Sequence, residues 1–219
     1  MRDVVIYGAS ALGRMVRDTL AQSGAWRIHG YLDSDPARHH QNIDNLPILG
    51  GVAAARLLIR KGVRAMIVAV GDSLARVRLA RRLRDAGAEL ISAIHPLASV
   101  SPSARLGRHL IIGARAIICV HARIGDHAII STGAIVEHDN VVGTAAFLHP
   151  AVRLAGGVRV GAFATLGIGT CVIPGRRIGR RARVAPGAVV IRDIPDRASA
   201  DGMPATVRAG AAAQVSEPI

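Results

Sequence analysis

Aromatic side chains are scarce in this chain: one tryptophan, two tyrosines and two phenylalanines in 219 residues. So few rings leave little on which bases stack, which argues against a nucleic-acid partner. Lysine is scarcer still. Lys61 is the only one among 28 basic residues, and with 15 acidic residues the formal net charge is +13. No apolar run is long enough to span a membrane, so no membrane partner is expected. The start, from Met1 to Ser10, runs straight into a strand pattern and a glycine turn and does not read as a signal peptide. The two cysteines, Cys119 and Cys171, read as packed, reduced thiols, and the chain as cytoplasmic. The histidines show no ligand spacing, so no metal is expected. The arginine excess reads as a solvated surface or as a lure for phosphorylated ligands. Its densest cluster is Arg176, Arg177, Arg180, Arg181 and Arg183.

What is present in quantity is a repeat. Seventeen aliphatic residues follow one another at a spacing of six, from Ile94 through Ile112, Ile130, Val136 and Leu154 to Val190, without a slip. A period of six suits neither a helix nor a plain strand and marks a hexapeptide β-helix. Each aliphatic is expected to point inward and to stack on the residue eighteen positions on. The residue two places earlier is usually alanine, as at Ala116, Ala122, Ala134 and Ala146, where an inward corner site has little room. The residue after the aliphatic is often glycine, as at Gly107, Gly125 and Gly143, which suggests a corner with positive φ. Three hexads per coil give a prism of five to six coils, on the order of 27 Å long at ~4.8 Å per coil.

The repeat stops at Ile94, and residues 1–95 have a different pattern. Val4–Tyr7 reads as a buried strand followed by the turn Gly8-Ala9-Ser10-Ala11-Leu12-Gly13. A helix is expected over 14–23, with Met15, Val16, Thr19 and Leu20 inside. Further strands are expected over 26–32, 65–70 and 90–94, and a helix over 74–86 capped by Asp72 or Ser73. Alternating strands and helices imply a parallel sheet covered by helices, a Rossmann-like α/β domain. Ligands of such sheets bind at the carboxyl ends of the strands. Here those ends carry the glycine turn, Asp33 and Gly71. The turn departs from GxGxxG, because Ser10 stands where the middle glycine belongs. It reads either as a tight strand-to-helix turn or as a phosphate cradle. Asp33 suits a ribose or sugar hydroxyl, and suits equally well a role in holding its own loop.

The stretches VVIYGASALG, GYLDSDP, LPILGG, AVGD, STGAIVEHDNVVG, LAGGVRVG and DGMPA together resemble the sugar O-acyltransferase family with hexapeptide repeats. That family includes sialic acid O-acetyltransferases and N-acetyltransferases of nucleotide-linked 4-amino sugars. The resemblance covers nearly the whole chain and implies three segments: a sugar-nucleotide-binding domain over 1–95, a left-handed β-helix acyltransferase domain over 96–195, and a C-terminal tail over 196–219. It implies that His138 is the catalytic base, its basicity raised by Asp139. It also implies that acetyl-CoA, the co-substrate, meets Phe147, Ile168 and the turn at Pro186. The sugar nucleotide would meet Ala11, Leu12, Gly13, Asp33, Ser34 and Gly71. A homotrimer is implied as well. The chain departs from the family at three places. Phe147 replaces a second histidine associated with acetyl-CoA, Leu12 replaces a histidine of the N-terminal loop, and Asp139 stands where some members have glutamate. An imidazole near neutral pKa is suited to taking a proton from an amine or hydroxyl that attacks a thioester. The leading expectation is N-acetylation of a 4-amino sugar for surface polysaccharide. The alternatives are O-acetylation of sialic acid or a related sugar, and a non-catalytic scaffold.

Overall fold

The computed structural model of the chain describes residues 1–208. The N-terminal part is a four-stranded parallel sheet. Its strands are β1 (Arg2–Tyr7), β2 (Trp26–Leu32), β5 (Ala65–Val68) and β6 (Glu89–Leu90), in the order β2-β1-β5-β6. Helices α1 (Ala11–Gln22), α2 (Val52–Arg60) and α3 (Ser73–Asp85) cover it. A small hairpin, β3 (Asn42–Ile43) and β4 (Leu46–Pro47), intervenes. Asp72 caps α3 by accepting from the Ala75 N–H. α1 starts earlier than the pattern suggests, so Ala11, Leu12 and Gly13 form its first turn and the loop shrinks to Gly8–Ser10. Met15, expected inside, is 46% exposed, because the face of α1 that packs inward is Gly13, Val16, Thr19 and Leu20. The expected strand over 90–94 is two strands in two different sheets. β6 closes the parallel sheet, and Ala93–Ile94 opens the next one, with Ile91 and Ser92 as the crossing.

From Ala93 the chain winds as a three-walled solenoid of about six turns. The first wall stacks Ala93–Ile94, Ile111–Ile112, Ile129–Ile130, Phe147–Leu148, Thr165–Leu166 and Arg183–Val184. The second stacks Ser99–Val100 through Val189–Val190, and the third Arg105–Leu106 through Arg177–Ile178. Residues eighteen apart pair in parallel register, as in Ile118 with Val136 and Val136 with Leu154. The inward aliphatics and the alanines two places before them form one continuous core. Ile94 is the exception: it is part-exposed because no coil lies beneath it. Two strands lie in the segment expected as a tail. Ser199–Asp201 adds to the first wall and Thr206–Arg208 turns back on it, with Ala198 and Ala200 buried beneath. The rest of that segment, residues 209–219, lies outside the described residues.

The glycines after the inward aliphatics have a different cause from the one expected. Their φ is not positive. A Cβ at Gly125 would lie 2.6 Å from the Thr144 nitrogen, and one at Gly143 2.5 Å from the Ala162 nitrogen. The next coil passes too close for a side chain. The positive φ falls two residues later, at His109, Arg115, His121, His127, Gly133, Asp139 and so on at the same spacing of six.

The two parts share a core. Ile111 and Ile129 point out of the first wall, yet they are buried against Val4, Ile6, Val16 and Leu20. Burying a side chain of that size contributes about 2 kcal/mol. Arg76 of α3 is buried at the same seam without a carboxylate partner. Its guanidinium donates to the carbonyls of Val70, Gly71, His127 and Ala145 and to Ser73 Oγ. Burial lowers its pKa to about 10. His109 and His127 also face this seam. The Val68 N–H donates to His109 Nε2, so the His109 proton sits on Nδ1 and is shared with His127 Nδ1 at 2.8 Å. Burial, with His127 and Arg76 adding to it, holds His109 at a pKa of about 3.

Candidate active site

His138 and Asp139 occupy the corner between the second and third walls. Val136 points inward, and the chain then turns, with Asp139 at φ 58°. Aspartate tolerates that conformation better than most residues. Both side chains are well exposed, at 58% and 60%. His138 Nδ1 lies 2.9 Å from Asp139 Oδ2. A carboxylate accepts, so Nδ1 carries the proton of the neutral ring and Nε2 keeps a free lone pair.

One coil on, eighteen residues later, lies Gly156. A Cβ there would fall 2.3 Å from His138 Nε2 and 2.5 Å from Cε1. The imidazole therefore rests on a bare backbone surface. The neighbouring Gly157 N–H donates to the His138 carbonyl at 3.0 Å. One coil before His138, Val120 is 49% exposed at the same corner. Glu137 lies beside Cys119, and burial followed by the charge of Glu137 pushes that thiol up.

The residues expected to meet acetyl-CoA fall in two places. Ile168 and Pro186 are exposed and stacked one coil apart at the corner between the first and second walls, where the Gly187 N–H donates to the Ile168 carbonyl. Phe147 is on the first wall and half-buried. Its ring lies against Gly71, stacks on His149 at 3.9 Å, and has the Arg76 guanidinium 6.0 Å away. Phe147 thus faces the N-terminal domain.

The residues expected to meet the sugar nucleotide gather at the carboxyl edge of the parallel sheet. Gly8 and Gly13 are required by packing. A Cβ on Gly8 would strike the Ala69 carbonyl, and one on Gly13 the Gly8 carbonyl. The Asp33 carboxylate accepts from the Ala9 and Asp35 N–H groups and pairs with Arg38, so it holds its loop. Ser34 Oγ is 3.0 Å from Tyr7 Oη. Leu12 and Met15 line a cavity of about 90 Å³ with His95, Ile111, Gly113, Ser131 and Thr132 of the solenoid. A larger hollow of about 820 Å³, between α2 and α3, contains none of the candidate residues. Among the described residues no three His, Cys, Asp or Glu side chains group as metal ligands.

Sequence reasoning missed Gly156, Asn140, Arg76 and the His109–His127 pair. The spacing of eighteen points to Gly156 once His138 is chosen. Nothing in the sequence separates Arg76 from the other arginines of α3.

The family model described as the PglD N-terminal domain matches residues 3–83. Perosamine N-acetyltransferase from Caulobacter crescentus, solved in complex with CoA and GDP-perosamine, is 42% identical, with 95% of this chain and 98% of that one covered and a TM-score of 0.90. Two variants of that enzyme, each with one histidine replaced, match at 41% identity. The acetyltransferase domain of PglB from Neisseria gonorrhoeae, in complex with acetyl coenzyme A, is 28% identical over 94% of this chain and 98% of that domain, with a TM-score of 0.86. The chain belongs to the PglD-type sugar N-acetyltransferases. These enzymes join a Rossmann-like N-terminal domain to a hexapeptide solenoid, which is the architecture seen here. No helix among the described residues is long and apolar enough to cross a membrane.

Proposed function

We propose that the protein transfers the acetyl group of acetyl-CoA to the 4-amino group of a nucleotide-linked sugar of the GDP-perosamine type, with His138 as general base. The observation that carries the reading is the His138 ring: exposed, oriented through Nδ1 by Asp139 so that Nε2 is left for the substrate, and seated on Gly156. The neutral amine attacks the thioester carbonyl carbon and gives its proton to Nε2. The carbonyl oxygen becomes an oxyanion, which backbone N–H groups of this corner, Gly156 among them, would stabilise. The C–S bond then breaks. CoA leaves as a thiolate and takes the proton, and the product is an acetamido sugar. No step requires a covalent enzyme intermediate.

In this reading the donor and the sugar nucleotide converge in an assembled molecule. The N-terminal domain covers the first wall, Ile168 and Pro186 flank the second wall at one corner, and His138 flanks it at the other. The second wall itself presents exposed or half-exposed Ile117, Ile135, Ile173, Val189 and Ile191. This largely apolar face, interrupted by exposed Arg153, fits a second copy of the chain. A homotrimer with acetyl-CoA between neighbouring prisms meets all these conditions. Phe147 then belongs to the sugar-nucleotide side, beside Gly71.

The test is release of free CoA with a 4-amino sugar nucleotide and with hydroxyl-bearing sugars as rival acceptors. His138→Ala is expected to lower kcat by ~10²–10⁴ with the amino acceptor. Turnover only with hydroxyl acceptors moves the reading to O-acetylation, and a monomer by light scattering sinks the shared site.

A further inference from the structure

The interior of the prism is apolar apart from the Thr170 hydroxyl, which donates to the Gly167 carbonyl, and one amide. Asn140 is fully buried at the place in its hexad that alanine usually fills. It stands two residues after His138. Its Oδ1 accepts from the Val158 N–H, and its Nδ2 reaches the Leu154 carbonyl at 3.5 Å. These two contacts bracket Ala155-Gly156-Gly157, the segment on which the imidazole rests.

The turn on which the ring rests is one of several in this solenoid, with those ending at Ala128, Asn140 and Arg176, that do not close on themselves. In the turns ending at Ala122, Ala146 and Ala164, the last N–H donates back to the carbonyl three residues earlier. The turn Ala155–Val158 makes no such bond. Its closing N–H goes to Asn140 instead, so the turn is held from the coil that carries the base. An amide in an apolar core has a desolvation cost that only satisfied bonds offset. Departures from local rules of this kind concentrate at functional sites.

We propose that Asn140 is a positioning residue. Resting on the reading of His138 as the base, it sets from inside the prism the separation between the imidazole and the Gly156 backbone. The amide spans the two coils like a spacer. With an aliphatic in its place, the Val158 N–H loses its acceptor, the Ala155–Val158 turn is no longer tied to the coil of the base, and Gly156 moves relative to Nε2. The CoA and nucleotide moieties are held by other residues, so their affinities are preserved.

The experiment compares full-length wild type, Asn140→Val, Asn140→Ala, His138→Ala and Val152→Ala. Valine already fills the equivalent place at 152 and 158, so the core accommodates it. Val152→Ala opens a core cavity away from the catalytic turn and serves as the stability control. Steady-state kinetics and thermal unfolding are read for each. The expected result for the Asn140 variants is a kcat about 10- to 100-fold lower, as for a misplacement of ~1 Å. Both KM values stay within about threefold, a margin small against that loss. Val152→Ala is expected to lower Tm and leave kcat unchanged. Wild-type kcat in folded Asn140→Val beside an inactive His138→Ala refutes the role of Asn140 alone. So does a kcat loss matched by Val152→Ala at equal Tm. Wild-type turnover in His138→Ala refutes the base assignment, and this role falls with it.

Discussion

Replacing Gly156 by alanine should separate activity from stability. The new Cβ would lie 2.3 Å from His138 Nε2 and 2.5 Å from Cε1, so the ring must retreat by about 1.1 Å to reach ordinary contact. The ring is exposed and swings outward at little cost. The backbone at Gly156 is not in the left-handed region, so alanine fits it without strain. A compatible Gly→Ala change stabilises by about 0.4–1 kcal/mol through the unfolded chain. Tm should therefore hold or rise slightly. Turnover should fall, because a 1 Å displacement of a catalytic group costs ~10², equivalent to about 2.7 kcal/mol of transition-state stabilisation. The assay is initial-rate CoA release at saturating acetyl-CoA and acceptor, alongside a thermal melt. A Gly156→Ala enzyme within threefold of wild-type kcat would show that the imidazole does not act from its seat on residue 156.

Other outcomes follow from the same geometry. Gly143→Ala places a Cβ 2.5 Å from the Ala162 nitrogen, where only backbone can give way, and should lose about 3 kcal/mol in denaturant unfolding. Asp139→Asn keeps a residue tolerant of φ 58° but removes the charge beside Nδ1. It should lower kcat about tenfold, less than His138→Ala, in the same CoA-release assay. His109 titrates near 3 when folded, against 6.5 as a free side chain. Over that interval the unfolded chain binds more protons. Its contribution is thus complete above pH 6.5 and lost as pH falls toward 3, at up to about 1.4 kcal/mol per unit. His109→Asn should flatten that slope in acid-unfolding titrations, and an unchanged slope would place the acid sensitivity elsewhere. Neutralising Arg180 and Arg181, which with Asp196 and Arg197 line a hollow of about 430 Å³, should raise KM for acetyl-CoA if they meet its phosphates. An unchanged KM returns them to the solvated surface.

The solenoid was legible in the sequence because one constraint, an inward aliphatic every six residues, repeats without interruption. The parallel sheet was legible because its buried strands end at glycine and aspartate. His138 and Asp139 were legible only through a resemblance, since an outward histidine on a β-helix carries no periodic signal of its own. The role of the repeat glycines was not legible. Positive φ and close approach of the next coil both select glycine, and only coordinates tell them apart. Asn140 was hidden because its period marks it as inward but says nothing of the N–H and carbonyl one coil on that satisfy its amide. Arg76 was hidden because its partners are carbonyls from three separate segments, to which sequence is blind.

A solenoid whose coils repeat is a ruler, and the seam at Arg76 marks where the N-terminal domain is pinned along it. The domain grips through Ile111 and Ile129, on successive coils, and Arg76 reaches the carbonyls of His127 and Ala145 on adjacent ones. Moving that grip by one coil would leave every inward aliphatic in register. It would slide the nucleotide-facing loops past His138 by one inter-strand spacing, ~4.8 Å, less than the width of a sugar ring. Acceptors of different reach are thus accessible to this architecture in quantised steps, without rebuilding either half.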